Sequence, residues 1–212
     1  DSILNNVAAG FYEIVVTDAN NCTAVDTVSI FEPSELTVQL TSDSVDCFGE
    51  NTGMTIAIPA GGTGLYTYQW DMTANNQITA TASDLAAGSY FVTVLDENNC
   101  SVVEAITVEQ PDALVVDISF QNPLCFGAPS GSIAISPSGG TAGFDFLWNN
   151  NLPNATTQNN LIAGNYDVTV TDANNCTSVA TAELIDPLPI TIDFLPTDVS
   201  CFDGNNGAIE IA

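Results

Sequence analysis

Apolar and other side chains alternate along much of this chain. Tyr66, Tyr68 and Trp70 alternate with Thr67 and Gln69, and Phe144, Phe146 and Trp148 alternate with Asp145 and Leu147. Tyr90, Val92 and Val94 share one side of another stretch, as do Tyr166, Val168 and Val170. A period of two marks strands with one buried face. Gly-Gly at 61–62 and 139–140, and Asp-x-Asn-Asn runs beginning at Asp18, Asp96 and Asp172, read as turns. No stretch sustains a helical period. No run of eighteen apolar residues exists, so no membrane insertion is expected.

The pattern repeats. Leu85–Ser101 (LAAGSYFVTVLDENNCS) returns at Leu161–Thr177 (LIAGNYDVTVTDANNCT) and at Val7–Thr23 (VAAGFYEIVVTDANNCT). DCFGENTG at Asp46–Gly53 returns as LCFGAPSG at Leu124–Gly131 and SCFDGNNG at Ser200–Gly207. Cys22, Cys100 and Cys176 are spaced by 78 and 76 residues, and so are Cys47, Cys125, Cys201 and Pro33, Pro111, Pro187. The chain therefore divides into the C-terminal part of one repeat (1–33), two whole repeats (34–111 and 112–187) and the N-terminal part of another (188–212). It begins in mid-pattern, as a window from a longer protein would. About seven short strands in under eighty residues predict an all-β fold of tandem immunoglobulin-like β-sandwich domains forming a rod. Trp70 and Trp148 take the place of the core tryptophan of the third strand. Tyr12, Tyr90 and Tyr166 take that of a tyrosine corner.

One segment conflicts with its counterparts. Ile133 and Ile135 point inward after the turn glycine, as do Ile209 and Ile211. The first whole repeat has Thr55 and Ala57 there, with Met54, Ile56 and Ile58 one step out of phase. A slip of one residue would turn every side chain over. A β-bulge near Gly53 or Pro59 is expected to absorb it.

Composition narrows the function. The chain has no Lys, Arg or His against twenty-six Asp and Glu, a formal net charge of −26. No cation is available to hold phosphate, so nucleic acid is excluded as a partner. Without His or Lys there is no imidazole base, no Schiff-base amine and no Ser–His or Cys–His pair. Nothing marks a catalytic pair of carboxylates either, so no enzyme activity is expected. With no side-chain ion pairs, stability must come from apolar packing, backbone ladders and covalent links. Hydrophobic residues at 45% are too many for a disordered acidic tail.

These motifs resemble the SprB-repeat family: CFG before a glycine-led strand, GG-x-x-x-x-Y-x-Y-x-W or its Phe variant, LxAGxYxVTVxDxNNC, and a closing Glu, Gln or Asp before proline. The resemblance covers essentially the whole chain. It implies tandem stalks in very large cell-surface proteins of gliding and related Bacteroidota, exported by type IX secretion and displayed as long filaments. The total lack of Lys and Arg is not implied by the family.

Six cysteines in a chain of external type suggest disulfides. The first cysteine of each repeat lies in the turn between the first two strands, at the end where the chain leaves. The second lies in the last hairpin turn, at the end where the chain enters. A strand of about six residues separates these ends by roughly 20 Å, whereas a disulfide needs Cα atoms about 4.4–6.8 Å apart. Cys47 is therefore expected to join Cys176, between consecutive repeats. Cys22, Cys100, Cys125 and Cys201 would then pair with repeats beyond these 212 residues. Pairing within a repeat (Cys47–Cys100, Cys125–Cys176) and free thiols are the alternatives.

Other constellations are weaker. Asp18, Asp96, Glu97 and Asp172 are candidate calcium ligands, with Glu32, Glu35 and Asp112 near the linkers as helpers. The competing reading of the Asp-x-Asn-Asn runs is a hairpin turn held by Asx hydrogen bonds. Asn21, Asn99, Asn154 and Asn175 match the N-glycosylation pattern. Asp26-Thr-Val and Asp43-Ser-Val resemble an O-glycosylation motif of secreted Bacteroidota proteins, which makes Thr27 and Ser44 glycosylation candidates. The expected function is an extracellular, cell-surface stalk whose partners are neighbouring repeats, with surface polysaccharide met through a distal tip. A polysaccharide-binding repeat with an exposed aromatic patch, or a polymerising filament subunit with an unpaired edge strand, are the rivals.

Overall fold

The computed structural model describes residues 3–211. It is all-β and immunoglobulin-like, in two compact units, one ending at Gln110 and the other starting at Pro111. Among the described residues no helix is long and apolar enough to cross a membrane.

The first unit opens with a hairpin of β1 (Gly10–Thr17) and β2 (Thr23–Ile30). Six strands follow: β3 (Thr37–Asp43), β4 (Gly53–Ala60), β5 (Thr67–Trp70), β6 (Thr81–Leu85), β7 (Gly88–Leu95) and β8 (Ser101–Val108). One sheet has the order β3-β4-β6 and the other β5-β7-β8, with every neighbouring pair antiparallel. The second unit repeats this plan with β9 (Val115–Gln121), β10 (Gly131–Ser138), β11 (Asp145–Trp148), β12 (Thr157–Leu161), β13 (Gly164–Thr171) and β14 (Thr177–Leu184). Its sheets are β12-β10-β9 and β11-β13-β14. A hairpin of β15 (Phe194–Thr197) and β16 (Ala208–Ile211) follows.

The alternating residues supply each core. Trp70, Tyr90, Val92 and Val94 pack with Val45, Ala57, Leu85 and Val108 in the first unit. Trp148, Tyr166, Val168 and Val170 pack with Ile133, Ile135, Leu161 and Leu184 in the second. Each buried indole N–H finds a carbonyl: Trp70 Nε1 donates to Thr79 O at 2.9 Å and Trp148 Nε1 to Ala155 O at 3.0 Å. The tyrosine corner closes in all three copies. Tyr12, Tyr90 and Tyr166 donate to the carbonyls of Ala8, Ala86 and Ile162, each four residues upstream, at 2.6, 2.8 and 3.0 Å. In β1 the corner stands without its core. Ile14 and Val16 are 53% and 62% exposed where Val92 and Val94 are fully buried, because β1–β2 has no second sheet over it among the described residues.

The register conflict resolves differently from the sequence expectation. Thr55 and Ala57 are buried in β4, in the same phase as Ile133 and Ile135 in β10. Met54, Ile56 and Ile58 take the other face, so no slip needs absorbing. A bulge does occur opposite Gly53, where the register between β4 and β6 shifts between Gly53 and Thr55. The second unit has its equivalent between Gly131 and Ser132. The extra residue lies on the partner strand, where Asp84 and Asn160 adopt a left-handed φ of 57°. The bulge is therefore a shared feature of the repeat. Its position at the glycine follows from space. A Cβ on Gly53 would lie 2.5 Å from Val108 Cγ1 and 2.8 Å from Leu85 O.

Candidate functional site

The two cysteine-bearing turns of each unit are built by hydrogen bonding. In the hairpin β7–β8, Asp96 Oδ1 accepts from the backbone N–H of Asn98 and Cys100 at 2.9 and 2.8 Å. Its Oδ2 accepts from Thr63 N and Thr63 Oγ1 at 3.0 and 3.1 Å. Asp172 does the same in β13–β14, taking Asn174 N and Cys176 N on one oxygen and Thr141 N on the other. One carboxylate thus shapes the turn and ties it to the Gly-Gly-Thr loop. The loop must be glycine at Gly62 and Gly140. Their φ values are +63° and +60°, and a Cβ would come within 2.9 and 2.7 Å of the carboxylate. For Asp96, burial pushes the carboxyl up, but the donors from Cys100, Thr63 and Asn98 outweigh it and hold it below the usual range. For Asp172 the Thr141 N–H leads, burial opposes, and Cys176 and Asn174 complete the downward shift.

This occupancy bears on the calcium candidates. The oxygens of Asp96 and Asp172 face N–H and O–H donors, which a cation would have to displace. Asp18 makes the same turn in β1–β2, accepting from Asn20 N and Cys22 N. Glu97 is exposed beside Asp96, and its N–H donates to Thr63 O. The fold does not bring the four together; they sit in three separate hairpins. No group of three His, Cys, Asp or Glu able to hold a metal occurs among the described residues.

The cysteines sit at opposite ends of each unit. The Asp96 turn lies at the end where the chain enters, since the adjoining Gly62 N donates to Ser34 O. The Cys47 turn lies at the end where it leaves: Val45 N donates to Glu109 O, and Gly49 N to Gln110 Oε1 at 2.9 Å. In the second unit Gly140 N donates to Asp112 O, and Gly127 N to Asp186 Oδ2 at 3.0 Å. Strand β8 joins the two ends of the first unit, and its eight residues span roughly 26 Å. Cys100 and Cys125 are exposed free thiols, as are Cys22 and Cys201. Neither within-repeat bridge is therefore formed. Cys47 and Cys176 are half-buried, and each is disulfide-bonded.

Two parts of this arrangement were not recognised from sequence. One is Thr63 and Thr141; the signal was the recurrence of Gly-Gly-Thr. The other is the side chain before the linker proline, Gln110 or Asp186, which receives the CFG glycine N–H. Its signal was that Glu32, Gln110 and Asp186 all carry a carbonyl or carboxylate oxygen. Of the glycosylation candidates, Thr27 is exposed on β2 and Ser44 is exposed just after β3. On the outer face of β5-β7-β8, Phe91 is 50% exposed above an open cavity of about 610 Å³ with Met72 and Thr93. The second unit has Asp167 in its place, so the two repeats share no aromatic there.

Two stretches, residues 40–75 and 118–153, match the SprB-repeat family model, each running from the first strand of a sandwich past its core tryptophan. The chain carries two SprB repeats. No curated protein matches it. Among solved structures, the three N-terminal domains of the bacteriophage RB49 highly immunogenic outer capsid protein are similar over 84% of this chain and 70% of that one, at 18% identity and a TM-score of 0.44. A C-terminal 282-residue fragment of intimin, solved with the intimin-binding domain of its translocated receptor, is similar over 77% and 67%, at 14% identity and 0.39. A Dscam structure is similar over 78% and 51%, at 10% identity and 0.33.

Proposed function

We propose that this SprB-repeat chain is a segment of an extracellular, cell-surface stalk that spaces an adhesive region from the cell and bears force. Its repeats are 34–111 and 112–187, with 1–33 and 188–212 belonging to repeats on either side. The observation that carries the reading is the oxidation pattern. Cys47 and Cys176 are disulfide-bonded while their partners within each unit are free. We assign the bond as Cys47 to Cys176, between consecutive repeats. Disulfides of this kind persist in oxidising compartments, which supports an extracellular location. Pulling force would enter along β3, pass through the bond and leave along β14. Strands β4 to β13 would then lie off the shortest covalent path.

The test is single-molecule stretching. About 130 residues lie between the two cysteines, worth on the order of 45 nm of contour at ~3.5 Å per residue. Without reductant that length should be missing from the fully stretched chain, and it should appear once reductant is added. Full contour in the absence of reductant would sink the assignment.

A further inference from the structure

The four free thiols extend this pattern. Cys125 holds the same place in its repeat as Cys47, and Cys100 the same place as Cys176. Both are exposed and unbonded, whereas Cys47 and Cys176 are bonded and half-buried. Cys125 also borders an apolar groove of about 380 Å³ formed by Leu124, Phe126, Pro187, Leu188, Pro189 and Ile190. Resting on the Cys47–Cys176 assignment, we infer that Cys125 and Cys100 are half-bonds. Cys125 takes the Asp-x-Asn-Asn-Cys thiol of the repeat that follows, and Cys100 takes the CFG-turn thiol of the repeat that precedes.

The consequence is topological. A bridge from Cys47 to Cys176 spans more residues than one repeat, whose spacing is 78 or 76. Successive bridges of this kind overlap, so every peptide bond in the interior of the array lies inside at least one disulfide-closed loop. One backbone cut anywhere would leave the stalk covalently whole. The covalent path also splits in two. The first and last strands of any one repeat lie on different paths, and in the first unit the paths touch, where Ser42 Oγ on β3 donates to Thr107 O on β8 at 3.1 Å. Each bond forms when two thiols are oxidised. Two electrons and two protons pass to a disulfide-bearing oxidant, which is reduced to its dithiol.

The three linkers report on different bonds, and a cut near Pro33 is bypassed only by the bond from Cys100 to the preceding repeat. A cut near Pro111 is bypassed only by Cys47–Cys176, and a cut near Pro187 only by the bond from Cys125 to the next repeat. The experiment places a protease recognition sequence beside Pro187 in one full-length variant and beside Pro111 in another. Cleavage is confirmed complete on a reducing gel. Both cut proteins should keep their uncut mass without reductant and separate into two pieces with it. Adding Cys125→Ser to the Pro187 variant should make it separate without reductant. If the Pro187 variant separates unaided while the Pro111 variant holds, Cys125 is unbridged and the continuous array is overturned, with the Cys47–Cys176 assignment intact. If the Pro111 variant separates, the assignment itself fails. A covalent dimer of uncut chains would overturn the array by placing these bonds between molecules.

Discussion

Asp96 and Asp172 each do the work of several residues: one buried carboxylate shapes the cysteine turn and anchors it to the neighbouring loop. The Asp-x-Asn-Asn pattern showed the turn, because an Asx turn is local in sequence. The second anchor was invisible there, because Thr63 and Thr141 lie 33 and 31 residues away. Both carboxyls are held below their ordinary range. Their stabilising contribution is therefore complete above pH ~4, the unfolded value, and is lost as pH falls through the lower folded value. Acidification below pH ~4 also relieves repulsion among the other carboxylates, so this loss is read as the difference between the urea midpoints of the parent and of an Asp96 variant. Asp96→Asn should lower the urea midpoint at neutral pH, because the amide turns an N–H towards a donor, and it should flatten part of the acid response. Parallel acid curves for the variant and the parent would refute this. A second residue runs the other way. Thr55 is fully buried and its hydroxyl has no hydrogen-bond partner, in the place where the second repeat has Ile133. Thr55→Val keeps the shape and removes the stranded hydroxyl, so it should stabilise by about 1 kcal/mol in the same measurement. An unchanged or lower midpoint would show that the hydroxyl is satisfied.

At the scale of elements, period-two patterning located the core strands because each has one buried face. It misjudged β4, and also β16, where Ile209 and Ile211 are 73% and 68% exposed because no second sheet covers that hairpin among the described residues. In β4, Met54, Ile56 and Ile58 outbid Thr55 and Ala57 in hydrophobicity, yet they lie on the face away from the core. The decision was made elsewhere, by the glycine that begins the strand and the bulge opposite it. Gly53 passes against Val108 and the Leu85 carbonyl with no room for a Cβ, and this fixes which residues turn inward. Gly53→Ala should therefore cost about 1–3 kcal/mol through forced displacement. Gly131→Ala should cost less. Its closest neighbour is Leu184 Cδ1 at 2.9 Å, the far end of a flexible side chain, and the Leu161 carbonyl is 3.0 Å away. Thermal midpoints of the two variants check the order; a reversed order would refute the steric account, because both the side-chain and the carbonyl contact are closer at Gly53. The two-residue difference in spacing between repeats lies between the core tryptophan and the start of the bulged strand, in the short turns Met72–Ala74 and Asn149–Asn151 and the loops after them. Length varies there without touching either cysteine turn.

For the whole molecule, the absence of Lys, Arg and His has a consequence that neither residue nor element shows. In an ordinary protein salt weakens attractive and repulsive charge pairs together, and the two partly cancel. Here the side chains carry only negative charge, −26 in all, so side-chain Coulomb interactions can only oppose the compact state. What holds the fold against them needs no cationic side chain: two apolar cores, ladders, buried donors on carboxylates and covalent bonds. Raising salt from about 10 to 300 mM shortens the Debye length from about 30 Å to under 8 Å. It should therefore raise the thermal midpoint steadily, by several degrees, with no initial dip. The same screening should lower the barrier to side-by-side association, which light scattering at the two salt levels would report. A midpoint that falls with added salt would mean that an attractive electrostatic contribution exists despite the missing cations. A bound metal ion would be the first candidate, and adding a chelator at low salt would then destabilise the fold. If the midpoint rises steadily and the chelator changes nothing, the carboxylates act as solvated charge and as hydrogen-bond acceptors alone. Covalent continuity, not ion pairing, would then be what holds so acidic a chain under the load proposed for it.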